Sequence, residues 1–336
     1  MKGNIRHTVA FGALATLTAI LVFVDMAVGS VNIPLSEVWA ALTGGECPES
    51  VVKVVREIRL TKLLVAVIAG AALPVSGLQM QTLFRNPLAG PYVLGISSGA
   101  SLGVALFILA APLVGMTGGW MMWLGTAGAA WIGSAAVMVV VLGAARRIKD
   151  IMVILILGMM IGSGISAVVQ ILQYAAEEES LKSFVVWTMG SLGNVTGSQL
   201  PLLVVPVLLG LLLSVVTVKP LNLLLLGEEY ASTMGLNMKR TRMLLFVVTI
   251  LLAGSVTAFC GPIGFIGLAM PHVARMIFAT ADHRVLLPGS LLSGVAVMLL
   301  CDILSKSVAL PINALTALVG IPVVIWIVLK NKSITL

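Results

Sequence analysis

The chain has 336 residues, of which 59% are apolar and 10% charged, with a mean hydropathy of +1.12. About a quarter of the residues of a soluble domain are charged, so this composition excludes one and defines a polytopic membrane protein. The net charge of +7 lies in short loops without a basic stripe interleaved with aromatics, which excludes a nucleic-acid binder, and Cys47, Cys260 and Cys301 lack metal-ligand spacing.

Apolar runs of spanning length fall at roughly 8 to 29, 62 to 83, 93 to 114, 120 to 143, 151 to 174, 200 to 218, 243 to 260, 266 to 280, 286 to 305 and 311 to 329. They predict an all-α polytopic protein of about ten transmembrane helices, with a short eighth run of half-span length. Lys2 and Arg6 precede the first run, but it is longer than a signal core and lacks an A-x-A site, so it reads as a retained span. The polar stretches at 30 to 61, 175 to 199 and 219 to 242 leave no soluble domain, and residues 1 to 336 read as a single transmembrane domain.

Basic residues set the orientation. With the N-terminus inside and ten spans, the inner side receives Lys2, Arg6, Arg85, Arg146, Arg147, Lys149, Lys219, Lys239, Arg240, Arg242, Arg275, Arg284, Lys330 and Lys332. The outer side receives Lys53, Arg56, Arg59, Lys62, Lys182 and Lys306. Fourteen of the 20 lysines and arginines are thus inside, which places both termini in the cytoplasm.

In chain order, the first local feature is Lys53, Arg56, Arg59 and Lys62, spaced every three residues ahead of the second span. On a helix they form a basic ridge. Flanking cations commonly snorkel to the interface, but outer cations run against the topological bias, which makes an acidic partner the alternative reading.

Next comes a helix-breaking, small-residue segment from Arg85 to Ala100, in which Pro87 and Pro91 lack an N–H and a regular helix cannot run through residues 85 to 92. Broken backbone at membrane depth survives only where protein or water covers it, so this segment is a candidate gate. A second break, Gly261 to His272, follows about 175 residues later. Paired breaks in two halves are the signature of an inverted repeat, here spans two to five and seven to ten.

Between the breaks, Leu226, Tyr230 and Met234 recur every four residues, Glu228 and Glu229 suit a helix N-terminus, and Gly235 suits its end. This predicts a short amphipathic cytoplasmic helix, marginal alone and in need of a surface: its own bundle or a cytosolic partner.

The span interiors carry almost no ionisable group. Asp25 and Asp302 lie near outer ends, and Asp302 can pair with Lys306 at i+4. Ion-coupled carriers usually keep midplane carboxylates, so an ion-coupled secondary transporter is the alternative that this vacancy opposes. His272 and Arg275 share a helix face but have no nucleophile or paired carboxylate, so an intramembrane enzyme is the weakest reading. No Gly-Lys dipeptide occurs, so the chain has no Walker A loop of its own.

At these residues the chain resembles the permease subunits of type II ABC importers, which take up iron-siderophore complexes, haem and cobalamin. The similar segments are RNPLAGPYVLGISSGASLG (85 to 103), WTMGSLG (187 to 193), LGEEYASTMGLNMKRTR (226 to 242), GPIGFIGLAMPHVARMI (261 to 277), DHRVLLPG (282 to 289) and LPINALTALVGIPVVIWIVLK (310 to 330).

The resemblance implies a permease homodimer in the cell inner membrane with the path at its interface. It also implies two cytosolic ATPases and a periplasmic or surface-anchored solute-binding protein. ATP and Mg would sit on the ATPase, and no cofactor on this chain. It further implies a coupling helix formed by Leu226, Gly227, Glu228, Glu229, Tyr230, Met234 and Gly235. Asn86, Pro87 and Leu88, with Ile151 and Met152, would form the cytoplasmic gate. Arg56, Arg59 and Lys306 would dock the binding protein. Relatives often carry small polar residues where this chain has Ile151 and Met152, and an acidic or polar residue where it has Gly90.

Overall fold

A computed structural model describes residues 2–29, 31, 33–110, 120–148 and 150–330. Lys149, Lys332 and the end of the third predicted run, 111 to 114, lie outside the described residues.

The helices are α1 (Lys2–Ala27), α2 (Leu35–Thr43), α3 (Glu49–Lys53), α4 (Leu60–Leu83), α5 (Ile96–Ala105), α6 (Trp120–Ala145), α7 (Ile151–Ala175) and α8 (Glu178–Thr188). They continue as α9 (Leu200–Leu224), α10 (Glu228–Thr233), α11 (Met238–Thr249), α12 (Ser255–Cys260), α13 (Ile266–Phe278), α14 (His283–Val308) and α15 (Ile312–Lys330). Short π-helical stretches join α3 to α4 (Val54–Arg59), extend α5 (Leu106–Ala110) and join α11 to α12 (Ile250–Gly254).

Among the described residues, seven helices are long and apolar enough to cross a membrane: Ile5–Ala27, Glu49–Leu83, Gly125–Ala145, Ile151–Ala175, Leu200–Leu224, Met238–Cys260 and His283–Val308. The apolar stretches Ile96–Ala110, Ile266–Phe278 and Ile312–Trp326 are shorter. The 13 residues of α13 rise about 20 Å, less than a hydrocarbon core of about 30 Å, in line with the short eighth run. The polar stretch at 30 to 61 is largely helical, because α3 and the π-helical turn run without a break into α4.

The chain groups into two compact units. The first comprises residues 1–75, 191–205 and 263–336. Here α1 packs along α14, and Phe11 meets Phe278 of α13 with ring centroids 4.4 Å apart and the rings tilted by 38°. α4 crosses α14 where Gly70 faces Gly294; a β-carbon on Gly70 would lie 2.8 Å from the Gly294 carbonyl. Small residues at such crossings let helix backbones meet, the usual source of helix association in lipid.

The second unit comprises residues 76–190 and 206–262. Its tightest crossing is α5 against α6, where Gly99 and Gly103 face Ala129 and Gly133. A β-carbon on Gly99 would sit 2.6 Å from the Gly133 carbonyl oxygen. Both partners use small-xxx-small spacing, so the close approach is written in the sequence.

Both predicted breaks exist. The helix resumes at Ile96, close to the start of the third predicted run at 93, and at Ile266, where the eighth run was placed. Pro271 lies inside α13 as its sixth residue, past the four free N–H groups of the first turn, so the helix forgoes one i−4 backbone bond there. In the first break Arg85 takes a left-handed conformation, the Asn86 carboxamide accepts from the Leu88 amide at 2.8 Å, and Gly95 at φ 80° turns the chain into α5. In the second, Phe265 holds φ 65°, the Gly264 amide donates to Asn313 at 2.9 Å, and a β-carbon on Gly320 would overlap Phe265. The residues of α15 that hold Phe265 offset a conformation costly for an aromatic residue.

Candidate functional site

In the second unit, one buried core gathers three regions far apart in sequence. Phe84, Ala89 and Leu94 from the first break share it with Ile151 and Ile154 from α7 and with Leu221, Leu224 and Ala231 around α10. The predicted gate residues therefore stand over the same core as the predicted cytoplasmic helix. Ile151 is buried in it, whereas Met152 and Leu88 are exposed and Asn86 and Pro87 half-buried. Asp150 caps α7, its carboxylate accepting from the Met152 amide at 2.8 Å.

The amphipathic helix forms over Glu228–Thr233, shorter than the 226 to 235 expected. Gly227 at φ 106° precedes it, and Arg85 of the break approaches Gly227 from the side. Ala231 is fully buried, but the predicted apolar row is not: Leu226, Tyr230 and Met234 are 58%, 69% and 60% exposed. The bundle does not cover this row. Glu228 is engaged within the chain, where Nη2 of Arg242 donates to both carboxylate oxygens at 2.7 and 2.8 Å.

Beside the break, a cavity of about 610 Å3 is walled by α7 and the start of α5. Tyr92, Ser98, Ser163, Ser166 and Gln170 are its polar lining, and among the described residues no charged side chain lines it. The sequence reading did not single out these hydroxyl and amide groups. A signal existed: Gly158, Gly162, Ser166 and Gln170 recur every four residues along one face of α7. Gly158 and Gly162 face the chain at Val93 to Ser98, which brings α5 against this line.

In the first unit, the expected basic ridge is broken up by the π-helical turn. Lys53 and Arg56 are exposed, with Arg56 Nε donating to the Ala41 carbonyl at 2.7 Å. Arg59 turns inward, only 4% exposed, and donates to the carbonyls of Met26 at 2.8 Å, Ala27 at 3.1 Å and Val31. Gly29 leaves room for its guanidinium.

Lys62 reaches Asp302 at 2.9 Å, and Lys306 pairs with Asp302 at 2.8 Å and with Asp25 at 2.9 Å. The i+4 pair read from sequence is present, but it belongs to a four-member network that sequence spacing could not show. Of the three residues expected to dock a partner, only Arg56 is open to one; Arg59 and Lys306 are committed to internal acceptors. His272 and Arg275 meet at 3.4 Å within α13, with His272 buried and Arg275 half-buried.

The fold and these sites define a multi-pass helical permease. Residues 17–330 match the profile of the FecCD transport family. The chain is 34% identical over 342 aligned positions to the hemin transport system permease protein HmuU of Yersinia pestis, which covers 99% of each chain. It is 38% identical to the vitamin B12 import system permease protein BtuC of Salmonella paratyphi A, covering 82% of this chain and 83% of that one. A solved inward-facing ABC transporter of metal-chelate type superposes with a TM-score of 0.83 at 30% identity, over 96% of this chain and 99% of its own. The chain belongs to the FecCD transport family, and is a membrane-spanning permease of an ATP-binding-cassette importer.

Proposed function

We propose that this chain, as one transmembrane domain, forms a homodimeric permease in the cell inner membrane that passes a bulky metal chelate (ferric siderophore, haem or cobalamin) inward. The similarity to permeases named for hemin and vitamin B12 supports that cargo class. ATP and Mg are held by two partner ATPases, and a periplasmic or surface-anchored solute-binding protein delivers the cargo.

The observation that carries the reading is the exposed row Leu226, Tyr230 and Met234 on and beside α10, whose Ala231 enters the core holding Ala89 and Ile151. An ATPase seated on that row moves α10 and, through this core, the segment Asn86 to Leu88 and the start of α7. The chain's own part is passive: two arrangements of packed helices, selected from outside.

Residues assigned by charge to one side also meet within each unit, which supports cytoplasmic termini. Arg85 lies beside Gly227, and Arg146, Lys239 and Arg242 line one cavity. In the other unit Arg6 donates to the Ile277 carbonyl near Arg275, whereas Arg59 and Lys306, of the outer set, both hold backbone near Asp25. Arg56, with Lys53, presents the open outer charge for an acidic binding protein.

The test is ATP-driven uptake by the assembled transporter carrying Tyr230→Asp with Met234→Asp. Both side chains are exposed, so the permease should insert normally but lose ATPase retention and uptake. Wild-type uptake by that variant, or uptake that follows an ion gradient and ignores ATP, would sink the reading.

A further inference from the structure

A cavity of about 550 Å3 lies where two membrane spans end, between the last turn of α6, the helix α10 and the first turn of α11. Its lining is amphiphilic. Arg146, Lys239 and Arg242 supply three cations, and Ile148, Met238 and Met243 supply apolar wall. Glu228 and Glu229 also line it, but Glu228 is engaged by Arg242 at 2.7 Å, so the lining holds one cation more than carboxylates.

The N-terminus of α11, with Asn237 accepting from the Arg240 amide at 3.0 Å, brings its positive dipole end to the same place as Met238 and Lys239. The helix α10 meets this cavity with Glu228, Glu229 and Ser232, not with Leu226, Tyr230 and Met234. On a helix these two sets point in different directions, so the cavity is separate from the exposed row proposed to seat the ATPase.

We propose that this cavity binds the phosphodiester head group of an anionic glycerophospholipid, with its phosphate held by Arg146 and Lys239 and its glycerol and first acyl carbons on Ile148, Met238 and Met243. Three features select this ligand. The site is at the end of two spans, where apolar sequence gives way to charge; its cations exceed its carboxylates; and its cationic and apolar walls face one space. Basic pockets between spans are where anionic head groups are held. Free inorganic phosphate shares the charge but has nothing to place on the apolar wall. Because Arg242 joins the cavity to Glu228, an occupied site braces α10; that consequence rests on the coupling reading above, whereas the site itself does not.

The test uses the full chain purified in mild detergent, with retained lipid read by native mass spectrometry. Phosphatidylglycerol and phosphatidylcholine are offered in equal amounts, and inorganic phosphate is the competitor. Wild type is expected to retain phosphatidylglycerol about tenfold over phosphatidylcholine, given two surface cations near the phosphate. Arg146→Gln with Lys239→Gln should bring the two lipids to parity, and Arg284→Gln, an exposed cation in the other unit, should change nothing. Both lining cations are exposed, so the double variant should melt as wild type does. Equal retention by wild type, or a preference that survives in the double variant, overturns the proposal. Displacement by inorganic phosphate would reassign the site to free anion and overturn the lipid assignment. Because no ATPase is present, failure here is distinguishable from failure of the coupling reading.

Discussion

Lys306 on α14 places its ammonium 2.9 Å from the Asp25 carboxylate at the end of α1, 281 residues away in sequence, and 2.8 Å from Asp302 on its own helix. Lys62 closes the set on Asp302 at 2.9 Å. Two acids and two amines thus join α1, α4 and α14 within one unit at nearly balanced charge. Buried charge is tolerated when it is paired, and removing one member leaves the others uncompensated.

Lys306→Met should therefore destabilise the detergent-solubilised permease by about 3 kcal/mol, the scale for breaking a buried pair. Lys306→Arg should recover most of this. Thermal melting of the two variants is the measurement, and equal melting points for Lys306→Met and wild type would refute the network's structural role.

Arg56 and Lys306 should separate docking from stability. Arg56→Ala removes an exposed charge and is expected to weaken salt-sensitive association with the solute-binding protein while leaving the melting point nearly unchanged. Binding measured at two ionic strengths would show it; a loss of stability without a change in affinity would remove Arg56 from the docking surface.

The pair between Arg242 and Glu228 predicts a coupling energy rather than a simple sum. Glu228→Gln, Arg242→Met and the double variant should give an interaction of about 1 to 2 kcal/mol in a double-mutant cycle, since Glu228 is partly solvated. Strict additivity of the three melting shifts would mean that the contact holds α10 in place no more firmly than solvent does.

Cysteine access reads the cavity wall of α7. In a Cys47→Ser background, where the remaining Cys260 and Cys301 are buried, Ser166→Cys and Gln170→Cys should react with a water-soluble thiol reagent. Val169→Cys, 7% exposed between them, should react at least about tenfold more slowly, because only the thiolate in contact with water is attacked. Similar rates at all three positions would mean that this face is not a water-accessible wall.

Gly99→Val tests the crossing of α5 on α6. A β-carbon there meets both the Gly133 carbonyl oxygen and the Val137 side chain, and the backbone contact cannot be relieved by a rotamer change, so the helices must separate, at a cost of about 2 kcal/mol or more. Undiminished expression and melting of that variant would contradict the packing.

Much of the molecule was legible in the chain. Run length and hydropathy predicted the spans, because lipid demands about 20 apolar residues to cross it. Paired prolines and glycines marked both breaks, and the four-residue recurrence of Leu226, Tyr230 and Met234 marked the short helix and its uncovered row. The basic ridge failed for a local reason: a π-helical turn over Val54–Arg59 rotates Arg59 inward while leaving Arg56 out, and the i+3 spacing does not report that turn. The wall of α7 was readable as Gly158, Gly162, Ser166 and Gln170, but only beside an α5 that packs against it.

Local physics therefore resides in the sequence: which segments are apolar enough to enter lipid, where backbone cannot stay helical, and which charges stay outside. The tertiary structure decided what those charges do. Lys306 could be read at i+4 from Asp302, but only the folded unit brings Asp25 to its other side, and only a folded core joins Ala89, Ile151 and Ala231. The reason is range. Hydrophobicity and helix breaking act within a few residues and so show in the chain itself, whereas an ion pair or a shared core depends on which distant helices the packing has already brought together.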